Sequence, residues 1–100
     1  MTTFEQNKDL IKDNLRDYML SSRGIELRHG KCFTCVNPAH NDKHPSMGYD
    51  EERNRVKCFS CGASYDTFDL IGIDYNLPGF MSQYKKACEL YGLDGNVIAP

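Results

Sequence analysis

Apolar residues near the amino terminus recur at the spacing of a helix. Ile11, Leu15 and Tyr18 are separated by three or four residues, so a helix would present all three on one face. Gly24 ends this pattern, as glycine often does just beyond the last turn of a helix. The sequence therefore predicts one N-terminal helix over about residues 4–21.

Short apolar runs separated by turn residues follow, a pattern that is typical of strands in a small antiparallel sheet. The runs predicted as strands are Ile25–Arg28, Lys31–Cys35, Ser46–Asp50 and Arg55–Phe59. The pair His29-Gly30 is predicted to join the first two strands, and the polar segment Glu51–Asn54 the last two. Val36–Pro45, which contains two prolines, is predicted to be a loop between the two pairs.

The last third of the chain is predicted to be helical. Asp66 is a candidate N-cap for one helix over about residues 67–74, and hydrophobic periodicity predicts a second over about 79–91. In the second, a stripe of residues from Met81 to Tyr91 includes Cys88, which is predicted to be a small apolar residue of the core.

These patterns together predict a single small α+β domain over residues 1–100. A short antiparallel ribbon at about residues 25–62 is preceded by one helix and followed by two. A chain of 100 residues buries only about two-thirds of the surface that its unfolded form exposes, so its core is marginal. No apolar run is long enough for a membrane span, and the polar N-terminus lacks the apolar core of a signal peptide. The sequence therefore predicts a cytoplasmic protein with no membrane partner.

Cysteines and one histidine are the candidate metal ligands. Cys32 and Cys35 form one Cys-x-x-Cys pair, and Cys58 and Cys61 form another. Two such pairs separated by a hairpin are typical of a tetrahedral zinc site. An ion bound there would cross-link this small fold, which is predicted to be a zinc ribbon. His40 lies close to the first pair in the sequence. Spacing leaves two ligand sets open, either the four paired cysteines or a set in which His40 replaces Cys32.

Three segments carry a resemblance to a known family: CVNPAHNDKHPSM at residues 35–47, KCFSCGA at 57–63 and DTFDLI at 66–71. Over about residues 25–92 the sequence resembles the N-terminal zinc-binding domain of bacterial DnaG-type DNA primases. The resemblance implies that Cys35, His40, Cys58 and Cys61 bind one structural Zn²⁺. Four residues separate Cys35 from His40, where the family more commonly has two. This longer spacing resembles the variant found in phage and mobile-element primases.

The resemblance also implies a function. In that family the domain engages single-stranded DNA template and assists RNA primer initiation in replication, next to a catalytic primase domain of the parent protein that synthesises the RNA. A replicative helicase is a further candidate partner. The chain itself contains no Asp-x-Asp pair and no phosphate-binding loop, which predicts that it is not an enzyme on its own. The alternative, from another class, is a stand-alone zinc-ribbon adaptor that docks on a replication or transcription protein.

The net charge of −2 argues, as an average, against strong binding of nucleic acid, but the charge is unevenly distributed. Residues 23–61 carry seven Lys and Arg against five Asp and Glu, whereas residues 62–100 carry two against five. The residues predicted to contact a phosphate backbone are Lys31, Lys43, Arg53, Arg55 and Lys57. Phe33, Tyr49 and Phe59 are candidates for stacking on unpaired bases.

Overall fold

The structure is a computed structural model that describes residues 3–41 and 43–93. Its elements in chain order are α1 (Phe4–Asp13), α2 (Leu15–Arg23), β1 (Met47–Asp50), β2 (Arg55–Cys58), β3 (Ser64–Tyr65), α3 (Thr67–Tyr75) and α4 (Phe80–Tyr91). They divide into two compact units: a helical unit with α1, α3 and α4, and a ribbon unit, Leu15–Asp66, with α2 and the strands. The predicted α+β fold with a short antiparallel sheet is confirmed. That the two units form one domain stays a prediction.

Aromatic side chains form the centre of the helical unit. Phe68 of α3 and Tyr84 of α4 are buried, and Phe4 of α1 packs on Tyr84 with ring centroids 4.6 Å apart. Asn7 of α1 is also buried, and its side-chain amide donates a hydrogen bond of 3.1 Å to the Tyr84 hydroxyl, so that both polar groups are paired as burial requires. Cys88 lies in the same buried set, as its place in the apolar stripe predicts.

The N-terminal helical segment consists of two helices, α1 and α2, and not of the single helix predicted over residues 4–21. Asn14 separates them. Its side-chain amide donates to the Leu10 carbonyl oxygen at 2.8 Å, which is the acceptor that its own backbone N–H would use in a continuous helix. That N–H donates to Ile11 instead, at 3.1 Å. A side chain that competes for a backbone acceptor leaves the hydrophobic periodicity unchanged, so the pattern alone did not indicate the break.

The three strands form an antiparallel sheet in the order β1–β2–β3. Met47 of β1 is paired with Cys58 of β2, and these two side chains and Val56 are fully buried on one face of the sheet. β1 and β2 lie within the runs predicted at residues 46–50 and 55–59. β3 was not predicted, because two residues are too few to show an alternating pattern. No helix in residues 3–41 or 43–93 combines the length and the hydropathy of a transmembrane span.

The segment of residues 25–35 does not form the two predicted strands. Within it, Phe33 forms an isolated bridge with Met47. Leu27 is buried, and its carbonyl oxygen accepts a hydrogen bond of 3.2 Å from the guanidinium group of Arg16 in α2. A side chain therefore satisfies the backbone group that a neighbouring strand would otherwise pair.

Gly72 in α3 is expected to tolerate no side chain. A Cβ atom there would overlap the side-chain amide of Gln83 and lie 2.8 Å from the carbonyl oxygen of Leu77. Turning the Gln83 amide away would break the hydrogen bond of 2.9 Å that it donates to that same oxygen. We expect Gly72→Ala to lower the free energy of unfolding by about 1–3 kcal/mol, even though alanine is favoured over glycine in helices.

Urea denaturation followed by circular dichroism measures this change. The same substitution is also measured in a chain that carries Gln83→Ala. There Gly72→Ala should lower the free energy of unfolding by a smaller amount but still lower it, because the Leu77 carbonyl remains in place. A Gly72→Ala protein that is more stable than the parent would contradict the prediction and would indicate that helix propensity outweighs the steric overlap.

Candidate metal centre

Four residues that could bind a metal ion lie together in the ribbon unit. They are Cys35, His40, Cys58 and Cys61, and one ligand atom of each lies within 4.8 Å of the ligand atoms of the others. Of the two sets that spacing left open, the structure therefore brings together the one that contains His40. Cys32 is exposed and is not a member of this group.

The distances in the group suit a tetrahedral zinc ion. The sulfur atoms of Cys35 and Cys61 are 3.8 Å apart, and the Cys58 sulfur is 3.7 Å from Nδ1 of His40. Zinc–sulfur bonds of about 2.3 Å in a tetrahedron place two sulfurs about 3.8 Å apart, and a zinc–nitrogen bond of about 2.0 Å gives a sulfur–nitrogen distance of about 3.5 Å. Thiolate and imidazole are also the donors that zinc prefers. The residues present therefore fit the ion.

The second half of the site is a tight turn after β2. The backbone N–H of Cys61 donates to the sulfur of Cys58 at 3.4 Å, and the N–H of Gly62 donates to the Cys58 carbonyl oxygen at 3.0 Å. Gly62 has a φ of +80°, in the left-handed region that glycine enters without steric cost. The Cys-x-x-Cys-Gly sequence is therefore a turn that directs both sulfur atoms to the same side.

The first half of the site is a loop organised by Asn37. Its backbone N–H donates to the sulfur of Cys35 at 3.4 Å, and its carbonyl oxygen accepts from the N–H of His40 at 3.0 Å. Its side-chain oxygen accepts from the N–H of Ala39 at 3.0 Å, an Asx turn that shortens the path from Cys35 to His40. Asn37 was not among the residues predicted from the sequence to shape the site, although an asparagine before Pro38 is a recognised turn signal.

The protonation states of the two buried thiols differ. Burial raises the pKa of the Cys35 thiol to about 12, in spite of the hydrogen bond from the Asn37 backbone. Cys58 is buried too, but hydrogen bonds from the Cys61 backbone N–H and the Ser46 hydroxyl stabilise its thiolate and lower its pKa to about 6. Within the folded site the Cys35 thiol therefore holds its proton far more firmly than the Cys58 thiol does.

The affinity for zinc is expected to rise with pH. Because the pKa of Cys35 lies far above neutrality, binding of zinc must displace its proton, and each displaced proton raises the affinity about tenfold per pH unit. Competition with a chelator of known proton dependence, between about pH 6.5 and 8, measures the slope. Cys32→Ser is the control and should keep the same slope. An affinity independent of pH would show that Cys35 does not bind zinc as a thiolate.

The predicted phosphate-contacting residues fall into two groups. The three lysines, Lys31, Lys43 and Lys57, have exposed side chains. Lys57 lies in β2, where its cross-strand neighbour is Gly48 and its side chain is on the face opposite to the buried Val56. These lysines are accessible to an anionic ligand.

The two arginines are engaged within the ribbon unit. The guanidinium group of Arg53 lies 3.2 Å from a carboxylate oxygen of Asp50. The backbone N–H of Arg53 also donates to that carboxylate and holds the pKa of Asp50 below its usual value. Arg55 is about one-third exposed, donates to the Ser64 hydroxyl at 2.9 Å and lies 3.9 Å from a carboxylate oxygen of Asp66. Both arginines therefore have intramolecular partners, and Arg55 in particular would have to exchange them for phosphate.

The three candidate stacking residues also differ. Tyr49 lies on the same sheet face as Val56, and its hydroxyl donates to the side chain of Asn54 at 3.1 Å. Phe33 is half-buried beside its bridge to Met47. Phe59 is 71 % exposed. Of the three rings, Phe59 is therefore the one presented to solvent.

Comparison with known proteins identifies the family of this chain. Residues 5–98 match the CHC2 zinc finger family, the zinc ribbon of DnaG. The chain is 29 % identical to the DNA primase of Lactococcus lactis over 92 residues, which are 92 % of this chain and 14 % of that protein. It is 33 % identical to the DNA primase of Campylobacter jejuni over 63 residues, 63 % of this chain and 10 % of that protein. With the DNA primase of Escherichia coli K12 it shares 28 % identity over 67 residues, 67 % of this chain and 11 % of that protein.

These relatives are much longer than the chain, which spans 10–14 % of their length. No solved structure matches the chain significantly. The family match covers nearly the whole sequence, and the group of three thiols and one imidazole lies within the matched residues. The cofactor of this chain is accordingly one structural zinc ion, and the chain belongs to the CHC2 zinc finger family.

Proposed function

We propose that this chain is the zinc-binding domain of a DNA primase that engages single-stranded DNA template and assists RNA primer initiation. The observation that carries the proposal is the family match over residues 5–98, together with relatives that are named DNA primase and are far longer than this chain. The partner is then a catalytic primase domain elsewhere in the parent protein, with a replicative helicase as a further candidate. We also propose that the parent protein is cytoplasmic and comes from a phage or mobile element.

The zinc ligands in this proposal are Cys35, His40, Cys58 and Cys61. Four protein ligands complete a tetrahedron and leave no position open for water or substrate, so the ion stabilises the fold and takes no part in bond making. The chain is therefore proposed to be non-catalytic on its own. Its contribution to primer synthesis is to hold a surface in a fixed conformation, with one loop and the end of β2 tied to the same ion.

The part proposed to meet the template is the sheet face opposite to the buried Val56. Lys57 is exposed there, and Lys31 and Lys43 are exposed in loops of the same ribbon unit. Few lysines and a net charge of −2 argue for a weak complex with the isolated chain, one that a longer parent protein would strengthen.

Fluorescence anisotropy with a labelled single-stranded oligonucleotide tests the proposal. With two or three phosphate contacts, raising the salt from about 50 to 200 mM should weaken binding by about 7- to 20-fold. Lys57→Gln should weaken binding and lower the salt slope, whereas Lys85→Gln, the same charge change in α4, should do neither. The proposal fails if neither the zinc-loaded chain nor a longer parent protein binds single strands in a salt-dependent manner.

The adaptor alternative predicts a different outcome. A zinc ribbon that docks on a replication or transcription protein should retain that partner in Arg55→Ala and Lys57→Ala variants and should show no affinity for single strands. A pull-down with the catalytic primase domain and with the replicative helicase, run beside the anisotropy experiment, separates the two functions.

A further inference from the structure

The sheet of the ribbon unit has an outer face, which we define as Gly48, Asp50, Arg55, Lys57 and Ser64. Gly48 pairs with Lys57, Asp50 with Arg55, and Lys57 with Ser64, and residues paired in this way share a face. On the other face Met47, Val56 and Cys58 are fully buried, and Tyr49 and Tyr65 are half-buried. The outer face is therefore the side of the sheet that a ligand can reach.

An aromatic ring covers part of this outer face. Phe59 follows β2 directly, and its ring lies so close to Gly48 that a Cβ atom on Gly48 would be 3.2 Å from Cε2 of the ring. Gly48 is buried although it lies on the outer face. The ring itself is 71 % exposed, more than the other large apolar side chains of the described residues. The absence of a side chain at residue 48 thus gives the ring a backbone support and leaves the rest of it open to solvent.

Because its ring is exposed, Phe59 contributes little to the stability of the fold. Complete burial of a phenylalanine side chain contributes about 1.5–3 kcal/mol, most of which Phe59 does not gain. Its backbone is well fixed, since its N–H donates to the Ser46 carbonyl oxygen at 2.8 Å and it lies within the Cys58–Cys61 turn. An exposed ring on a rigid support suits contact with a flat partner.

The charges of the outer face favour an anionic partner. Lys57, the cross-strand neighbour of Gly48, is exposed on the same face. The carboxylate on this face, Asp50, is held by Arg53 at 3.2 Å, so its negative charge is partly neutralised. A flat and anionic partner describes the unpaired bases and phosphates of a single strand, since every base has a π-face that stacks on an aromatic ring.

We propose that Phe59 is a stacking platform for an unpaired base of single-stranded DNA, with Lys57 contacting a neighbouring phosphate. This inference rests on the proposed function and adds the contact by which template is held: one base on the ring, without preference for sequence. It also assigns distinct roles to neighbouring residues, because the ring binds bases and the ammonium group binds the backbone.

The chain contains no tryptophan, so Phe59→Trp introduces a single fluorescent reporter at the platform. Oligothymidylate should quench its emission, and an abasic oligonucleotide of the same length should leave it nearly unchanged. The same two probes are then used with substituted chains by anisotropy. Phe59→Ala should weaken the binding of oligothymidylate by about 5- to 100-fold and leave the binding of the abasic strand as it was.

Two conservative variants separate stacking from simple apolar contact and from loss of the fold. Phe59→Tyr keeps the ring and should bind oligothymidylate within about twofold of the parent, whereas Phe59→Leu keeps apolar bulk and should behave like Phe59→Ala. Each variant is compared at one bound zinc ion per chain, which shows that the turn is intact.

The outcomes distinguish this inference from the proposed function. If the parent chain binds oligothymidylate in a salt-dependent manner and Phe59→Ala or Phe59→Leu binds equally well, the platform is wrong and the proposed function stands. If Phe59→Ala keeps its affinity for DNA but loses a protein partner, the ring is a docking residue and the inference is overturned. If the parent chain and the longer parent protein bind no single strand, both proposals fail together.

Discussion

Removal of zinc with a chelator is expected to unfold the ribbon unit, Leu15–Asp66. The strands there have four, four and two residues, and the described residues between α2 and β1 form no ladder beyond the bridge of Phe33 to Met47. A sheet this short is marginal without a staple. Structural zinc in small fingers contributes about 10–16 kcal/mol at neutral pH, which is as large as the whole stability of an ordinary domain, about 5–15 kcal/mol.

Hydrogen exchange measured on peptides locates the effect. Amides of β1 and β2, Val56 among them, should lose protection when zinc is removed and regain it when zinc is restored. The amides of α4 serve as the internal reference, because none of the four candidate ligands lies in the helical unit, whose core contains Phe68 and Tyr84. Protection at Val56 that survives complete removal of zinc would show that the apolar core of the ribbon unit suffices without the ion.

Hydrophobic periodicity predicted the helices and strands whose residues pack by pattern. α4 and β2 lie close to their expected places because each buries apolar side chains at the period of its own element, whereas α3 begins directly after Asp66, the residue predicted to cap it. The pattern failed where a polar side chain decides the structure. Asn14 divides the first helix by taking the acceptor of its own N–H, and Arg16 pairs the carbonyl of Leu27 in place of a strand. Both interactions depend on individual hydrogen bonds that periodicity does not register.

The candidate metal site and the charged residues near it could also be predicted only in part. Cys-x-x-Cys pairs and a nearby histidine indicate a zinc site from spacing alone, but both ligand sets satisfy that spacing, and the family resemblance was needed to favour His40. The charge count treated Arg55 and Lys57 as equivalent. In the structure the Arg55 guanidinium group donates a hydrogen bond to Ser64 of β3, a strand too short to predict, whereas Lys57 remains exposed. The accessibility of a charge depends on tertiary partners that a local count does not include.

Replacing His40 by alanine is expected to lower the affinity for zinc far more than replacing Cys32 by serine. His40 lies in the group whose ligand atoms are within 4.8 Å of one another, and Cys32 does not. Removal of a residue that only orients a metal ligand typically lowers the affinity for the metal about 10–100-fold. Removal of a ligand itself should therefore lower the affinity for zinc by more than about 100-fold. Cys32→Ser should stay within about threefold of the parent, since an exposed thiol outside the group makes no bond to the ion.

The first measurement is the amount of zinc per chain, determined by elemental analysis after dialysis against a weak chelator. His44→Ala is the matched control, because His44 is an exposed histidine outside the group of four ligands. Cobalt substitution gives the second. Sulfur-to-cobalt charge-transfer absorption grows with the number of bound thiolates, so Cys32→Ser should leave the spectrum unchanged and Cys35→Ser should reduce it. The opposite pattern, in which Cys32→Ser loses zinc and His40→Ala keeps it, would establish the all-cysteine set. That set would require residues 32–40 to refold around the ion, because in the structure it is His40 whose Nδ1 lies 3.7 Å from the sulfur of Cys58.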